Sequence, residues 1–217
     1  MRMRSGIRGL DSLMGGGFPD PSIILVYGPP GAGKSIFSLQ FLMYGASEGE
    51  KGLYITTLSE RFEWMLRFMS DFEFFDPKHF EEGRIVYEDL AGELNDDEIG
   101  ILKRIRDVIS TTMPRRIVID PINPLREYIQ NYREFLFDLV DMMKQWGATV
   151  ILTSEMSRSY TDEMYMADGI IELTMKPDGE VTRRYIRILK MRGTNHSMNV
   201  HPLSIDEDGI AVLKANI

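Results

Sequence analysis

Short apolar runs and period-two stretches alternate along the chain with segments whose apolar positions recur at helical spacing. The runs predict strands at 22–27, 52–57, 84–87, 115–120, 148–154, 169–175 and 183–191, with a further short one at 210–214. The helical spacing predicts helices over 34–47, 59–70, 96–111 and 130–146. In the last of these, Phe135, Leu139, Met142, Met143 and Trp146 stand at i, i+4, i+7, i+8 and i+11, a single apolar stripe, and Gly147 follows as a breaker. Lys176, Pro177, Asp178, Gly179 and Glu180 read as a turn, so 169–175 and 183–191 are expected to pair as a hairpin. This alternation predicts an α/β fold: a mostly parallel sheet flanked by helices, with an antiparallel β extension at its C-terminal end. Residues 1–217 contain no linker, repeat or low-complexity segment and read as a single domain.

The stretch 71–100 is the least regular. Phe72, Phe74, Phe75 and Phe80 gather around Asp76 and Pro77, and acidic residues follow from Glu81 to Glu98. A docked aromatic loop followed by a solvated face is expected there, with an exposed partner surface as the alternative. Composition narrows the function classes. With 43% hydrophobic and 27% charged residues the chain is an ordinary globular one. It has no cysteine, which excludes a disulfide framework and thiolate metal sites and suits a reducing cytoplasm. No run approaches the roughly 18 apolar residues of a membrane span, and the basic N-terminus lacks the apolar segment of a secretion signal. A net charge of −8 opposes general attraction to nucleic acid.

Chemistry enters at residues 28–35. Gly28, Pro29, Pro30, Gly31, Ala32, Gly33, Lys34 and Ser35 match G-x-x-x-x-G-K-S, and the apolar run Ile23–Tyr27 leads straight into them. The glycines permit a backbone turn closed to residues with a Cβ, so successive N–H groups can point inward at a polyphosphate. The helix that starts near Lys34 adds its positive end, and Ile36 completes the backbone that would line the phosphates. Lys34 would reach the β- and γ-phosphates and the Ser35 hydroxyl would ligate Mg²⁺, so the stretch predicts a nucleoside triphosphate site. Arg116–Asp120 is an apolar strand ending in a carboxylate, expected to lie beside the P-loop strand with Asp120 orienting the Mg²⁺ through its water shell.

Further motifs surround these two. Ser5, Gly6, Ile7, Arg8, Gly9, Leu10 and Asp11, then Gly15, Gly16, Gly17, Phe18 and Pro19, precede the P-loop. Val118, Ile119 and Asp120 follow it, and then Lys190, Met191, Arg192, Gly193, Thr194, Asn195 and His196. In this order the chain resembles a single-domain KaiC-like ATPase of the RecA/RadA P-loop superfamily. The resemblance implies a RecA-like core, ATP with Mg²⁺, and ring assembly, usually hexameric, with ATP between adjacent subunits. It also implies that Lys190, Arg192, Thr194 and His196 reach the phosphates bound to a neighbouring copy, with Arg192 or Lys190 as the arginine finger. The residues lend support: Arg183, Arg184, Arg187, Lys190 and Arg192 fall within ten positions of an acidic chain. Strand alternation predicts Arg184, Ile186, Ile188, Lys190 and Arg192 on one face. An edge strand guarded by its cations is the alternative.

The pattern also departs from the family. A glutamate, often a pair, follows the second core strand in such ATPases and polarises the attacking water. Here Leu58 and Ser59 occupy those places and Glu60 falls one position later. Glu60 is the candidate base if the turn shifts by a residue; otherwise it opens a helix with Ser59 as N-cap. Efficient hydrolysis is therefore not expected, and a slow ATPase suits a regulatory or assembly module. Thr153 or Ser154, at the end of the strand after Asp120's, is the candidate γ-phosphate sensor, and Glu155 a reserve base. Two rivals remain: a RadA-paralogue-type DNA-binding recombination accessory protein, and a non-hydrolysing ATP-dependent scaffold with an unidentified protein partner. Against the first, Arg126 and Arg133 are offset by Glu127 and Glu134, and Arg158 by Asp162, Glu163 and Asp168.

Overall fold

The computed structural model describes residues 1–58, 61–92, 98–155 and 161–213. The first two strands, β1 (Arg2–Met3) and β2 (Phe18–Pro19), pair as a small antiparallel ribbon. The others are β3 (Ile23–Gly28), β4 (Gly52–Thr56), β5 (Ile85–Asp89), β6 (Arg116–Asp120), β7 (Thr149–Glu155), β8 (Gly169–Asp178), β9 (Val181–Met191), β10 (Val200–Asp206) and β11 (Gly209–Val212). They form one nine-stranded sheet in the order β11-β10-β9-β8-β3-β7-β6-β4-β5. Pairing from β8 through β5 is parallel, and the β8–β9, β9–β10 and β10–β11 pairs are antiparallel. The helices are α1 (Lys34–Ser47), α2 (Phe62–Met69), α3 (Lys78–Glu81), α4 (Glu98–Thr112), α5 (Leu125–Tyr128), α6 (Tyr132–Trp146) and α7 (Asp162–Met166).

The central parallel strands β3, β4, β6 and β7 are buried on both faces, which explains their near-continuous apolar runs. Alternation sends Ile24, Val26, Val118, Ile151 and Ile171 to one side, where they pack with Phe37, Phe41 and Leu42 of α1. Ile23, Leu25, Ile117, Ile119 and Leu152 go to the other, against Ile101 and Ile105 of α4 and Phe135, Leu139 and Met143 of α6. Phe135, Leu139 and Met143 of the predicted α6 stripe are buried and Met142 packs against them, but Trp146 is 37% exposed while Tyr132, Leu136 and Val140 join the buried face; Gly147 ends the helix at φ 81°. The phenylalanines of 72–80 dock: Phe75 is buried, and Phe72, Phe74 and Phe80 pack on the α1-side core.

Three arrangements differ from expectation. First, β7 lies between β3 and β6, so the Asp120 strand is not the neighbour of the P-loop strand. Both β3 and β6 hydrogen-bond to β7, and local pattern carries no information about which strand intervenes. Second, Val200–Asp206 is a strand despite Pro202. Pro202 lies just beyond the last β10–β11 register pair, Leu203 with Val212, and on that side its carbonyl accepts from the Leu213 N–H at 2.9 Å, a bond that needs no proline N–H. Third, a β-bulge interrupts the long hairpin: Ile171 pairs with Ile188 but Ile170 pairs with Lys190. The extra residue reverses the alternation, so Lys190 leaves the face shared by Ile186 and Ile188 and turns to the α6 side.

Candidate nucleotide site

β3 is buried along its length and delivers the chain to Gly28, whose backbone lies against β8. A Cβ at Gly28 would stand 2.4 Å from the Leu173 carbonyl oxygen. Gly31 and Gly33 take φ values of 79° and 104°, the left-handed region that only glycine enters freely, and the Ala32 N–H donates to the Pro29 carbonyl at 3.2 Å. α1 starts at Lys34 without a side-chain cap on Gly33. The amides of its first turn have no partner within the helix, and with the loop they make a cradle of the size and sign a phosphate fits. Lys34 Nζ folds back over this cradle, donating to the Gly28 and Pro29 carbonyls at 2.9 and 3.1 Å. Burial pushes the Lys34 pKa down, and the nearby carboxylates of Asp120 and Glu155 oppose that shift.

Asp120, at the end of β6, faces the α1 side with Val118 and is only 5% exposed. Tyr54 on β4 donates its phenol to Oδ2 at 2.7 Å, and Thr153 on β7 donates its hydroxyl to Oδ1. Thr153 has one proton to give and gives it to Asp120, so it cannot donate to a phosphate while that bond holds. Ser154 pairs with Tyr27 and alternation turns it to the opposite face, away from Asp120. Glu155 is exposed at the strand end, and its N–H donates to Asn123 Oδ1 at 3.3 Å. The Ser35 hydroxyl and the Asp120 carboxylate are hard oxygen donors, the set that suits Mg²⁺. Among the described residues no cluster of three His, Cys, Asp or Glu side chains forms a separate metal site.

Beyond Thr56, which pairs with Asp120 in register, the chain turns to Thr57 and Leu58. Thr57 Oγ1 donates to the Pro121 carbonyl at 2.6 Å, and Leu58 is 47% exposed. Ser59 and Glu60 lie outside the described residues; α2 begins at Phe62 with Arg61 in the N-cap place.

Strand β9 separates two groups of cations. Arg184 pairs with Met175 near the P-loop, and its Nε donates to the Gly31 carbonyl at 3.2 Å. Lys190 is six positions on, about 20 Å away along an extended strand, beside Ile170 at the opposite end of the sheet. There its Nζ donates to the Ala167 carbonyl at 2.6 Å, and burial and Arg192 lower its pKa while Asp168 opposes them. Arg192 Nη1 bonds Asp168 Oδ1 at 3.0 Å, Thr194 Oγ1 accepts from Arg2 at 2.8 Å, and His196 Nδ1 is 3.1 Å from the Ser197 carbonyl oxygen. These four residues therefore stand apart from their own P-loop. The rest of the basic run is paired within the chain, Arg183 with Asp178 and Arg187 with Glu172. The site residues missed by sequence reasoning are Tyr54, hidden in an apolar strand, and Arg184, read only as one of a cationic run.

The chain matches the family described as "ATPase: KaiC" over residues 3–217. It is 33% identical to a UPF0273 protein of Thermotoga maritima, covering 97% of this chain and 95% of that one. It is 30% identical to the circadian clock oscillator protein KaiC of Synechococcus elongatus, covering 97% of this chain and 44% of the longer protein. Its fold superposes on the crystal structure of a KaiC-like protein from Pyrococcus horikoshii with a TM-score of 0.89, 34% identity and 99% coverage of both chains.

Proposed function

The chain belongs to the KaiC ATPase family, and on that premise we propose that it is a regulatory or assembly ATPase that binds ATP with Mg²⁺ between copies of itself and hydrolyses it slowly. The observation that carries this reading is the separation along β9. Lys190, Arg192, Thr194 and His196 lie at the end of the sheet opposite the P-loop of the same chain. If they serve phosphates, those phosphates belong to a neighbouring copy, as in a closed ring, with a hexamer as the proposed size. In the isolated chain Arg192 is bonded to Asp168 and Lys190 to the Ala167 carbonyl, bonds each would exchange for phosphate oxygens of the neighbouring copy.

Within one copy, the amides of Gly31 to Ser35 and Ile36 would take the phosphate oxygens, and Lys34 would exchange two loop carbonyls for the β- and γ-phosphates. Mg²⁺, held by Ser35 and through water by Asp120, would neutralise charge between those phosphates. The proposed slow turnover rests on Leu58, which has no group to accept a proton from the attacking water. Lack of a water-orienting carboxylate would slow hydrolysis by about 10²–10⁴. DNA binding is disfavoured by the state of the loop cations: Arg126 is paired with Glu163 and lies over the Tyr132 ring, and Arg133 lies over Tyr165. No helix among the described residues is long and apolar enough to cross a membrane; a cytoplasmic location is part of the proposal.

The test is mass by light scattering with ATP and with ADP, beside steady-state turnover. ATP should enlarge the assembly more than ADP, and Lys190→Ala with Arg192→Ala should abolish that gain. Unchanged size in the double variant contradicts the shared site, and turnover on the order of 10 s⁻¹ contradicts the slow ATPase.

A further inference from the structure

Asp120 is gripped from both flanks of its strand. β6 runs between β4 and β7, and each neighbour sends one hydroxyl to one carboxylate oxygen: Tyr54 to Oδ2 and Thr153 to Oδ1. Both donors are shut off from solvent, Tyr54 at 4% and Thr153 at 0% exposure. The Tyr54 ring is fixed in turn. It stacks on Tyr87 at 5.5 Å with 8° between planes, Tyr87 meets Phe62 at 5.0 Å, and Phe62 meets Phe80 at 5.0 Å. A phenylalanine would fill that stack as well. The hydroxyl adds a polar group that is costly to bury, so what it contributes lies at the carboxylate.

We propose that Tyr54 is a positioning residue for the Mg²⁺ half of the site: it fixes the plane of the Asp120 carboxylate, so that the lone pairs left over are offered to the metal's water shell in one orientation. Each oxygen already accepts one hydrogen bond, and the group cannot rotate without breaking one. An ionised carboxylate has about four acceptor positions, so roughly two stay available. The aromatic stack extends this constraint to Phe62, the first residue of α2, which joins the orientation of Asp120 to the element that follows Leu58. The proposal rests on the ATP–Mg²⁺ reading above.

The test is ATP binding by calorimetry in EDTA and in saturating Mg²⁺, taking the gain in affinity on adding metal as the readout. Tyr54→Phe should lower the apo melting temperature, as loss of a buried hydrogen bond to a carboxylate does, and leave the affinity in EDTA unchanged while reducing the Mg²⁺ gain about tenfold, the worth of a hydrogen bond to a charged group. In an Asp120→Asn background the same substitution should cost nothing further, because it acts through Asp120. An unchanged gain in Tyr54→Phe, or an equal loss with Asp120→Asn, overturns the proposal. Thr153→Val removes the opposite donor and repeats the test should the first variant not fold; an unchanged gain there also overturns the clamp. If the wild-type chain binds ATP without any Mg²⁺ gain, or binds none, the nucleotide reading itself fails.

Discussion

Replacing Tyr132 with phenylalanine deletes one hydroxyl from a triad built round the buried Glu163 carboxylate, and its cost should depend on pH in a calculable way. The Tyr132 hydroxyl donates to Glu163 Oε1 at 2.7 Å, Arg126 bonds both Glu163 oxygens at 3.2 and 3.1 Å, and Glu163 is 2% exposed. Near pH 8 the substitution loses a hydrogen bond to a charged acceptor while Arg126 continues to balance Glu163, a cost of about 1.5–3 kcal/mol. Burial, reinforced by the negative charge of Glu163, raises the Tyr132 pKa well above its ordinary value of 10.0. A raised folded pKa gives stability that is complete below the unfolded value and lost as pH climbs toward the folded one. At pH 11, about one unit above the unfolded value, ionisation stabilises the unfolded wild-type chain by about 1.4 kcal/mol, and the variant has no such proton. The cost of Tyr132→Phe should therefore shrink by about 1.4 kcal/mol between pH 8 and pH 11. Urea denaturation of both proteins at both pH values, followed by circular dichroism, gives the difference directly, since all other titrating groups cancel. A cost that stays constant with pH would refute the reasoning.

Other predictions concern the cradle and the candidate base. Gly28→Ala sets a Cβ 2.4 Å from the Leu173 carbonyl oxygen and 3.1 Å from its Cβ, forcing β3 and β8 apart. It should cost about 1–3 kcal/mol in thermal stability and weaken ATP binding together with it. Arg184→Ala removes the bond to the Gly31 carbonyl at a solvent-accessible position. Fluorescence titration should find ATP bound roughly 3–10-fold more weakly with an unchanged melting temperature, in line with one ordinary hydrogen bond. Glu60→Gln should remove whatever slow turnover a phosphate-release assay detects; unaltered turnover would move the base elsewhere, Glu155 being next to test.

Much of this arrangement is legible in the residues, for identifiable reasons. α1 runs over 34–47 as its pattern predicts, because glycines before it and an apolar face within it leave few alternatives. The β8–β9 hairpin follows from its turn, with Gly179 at φ 63°. What stays hidden is long-range or sub-periodic. That β7 separates β3 from β6 is a property of the whole sheet. The bulge near Ile170 turns Lys190 to the other face by one residue, which alternation cannot foresee. Tyr54 reads as a core aromatic, and only its neighbour across the sheet reveals that its hydroxyl ends on Asp120.

The most direct test of the account is calorimetric uptake of ATP–Mg²⁺ by the chain freed of bound nucleotide. The glycine cradle, Lys34 and Asp120 predict saturable binding of one ATP per chain, lost in Lys34→Ala. Absence of any uptake by the intact chain would contradict the account at its root.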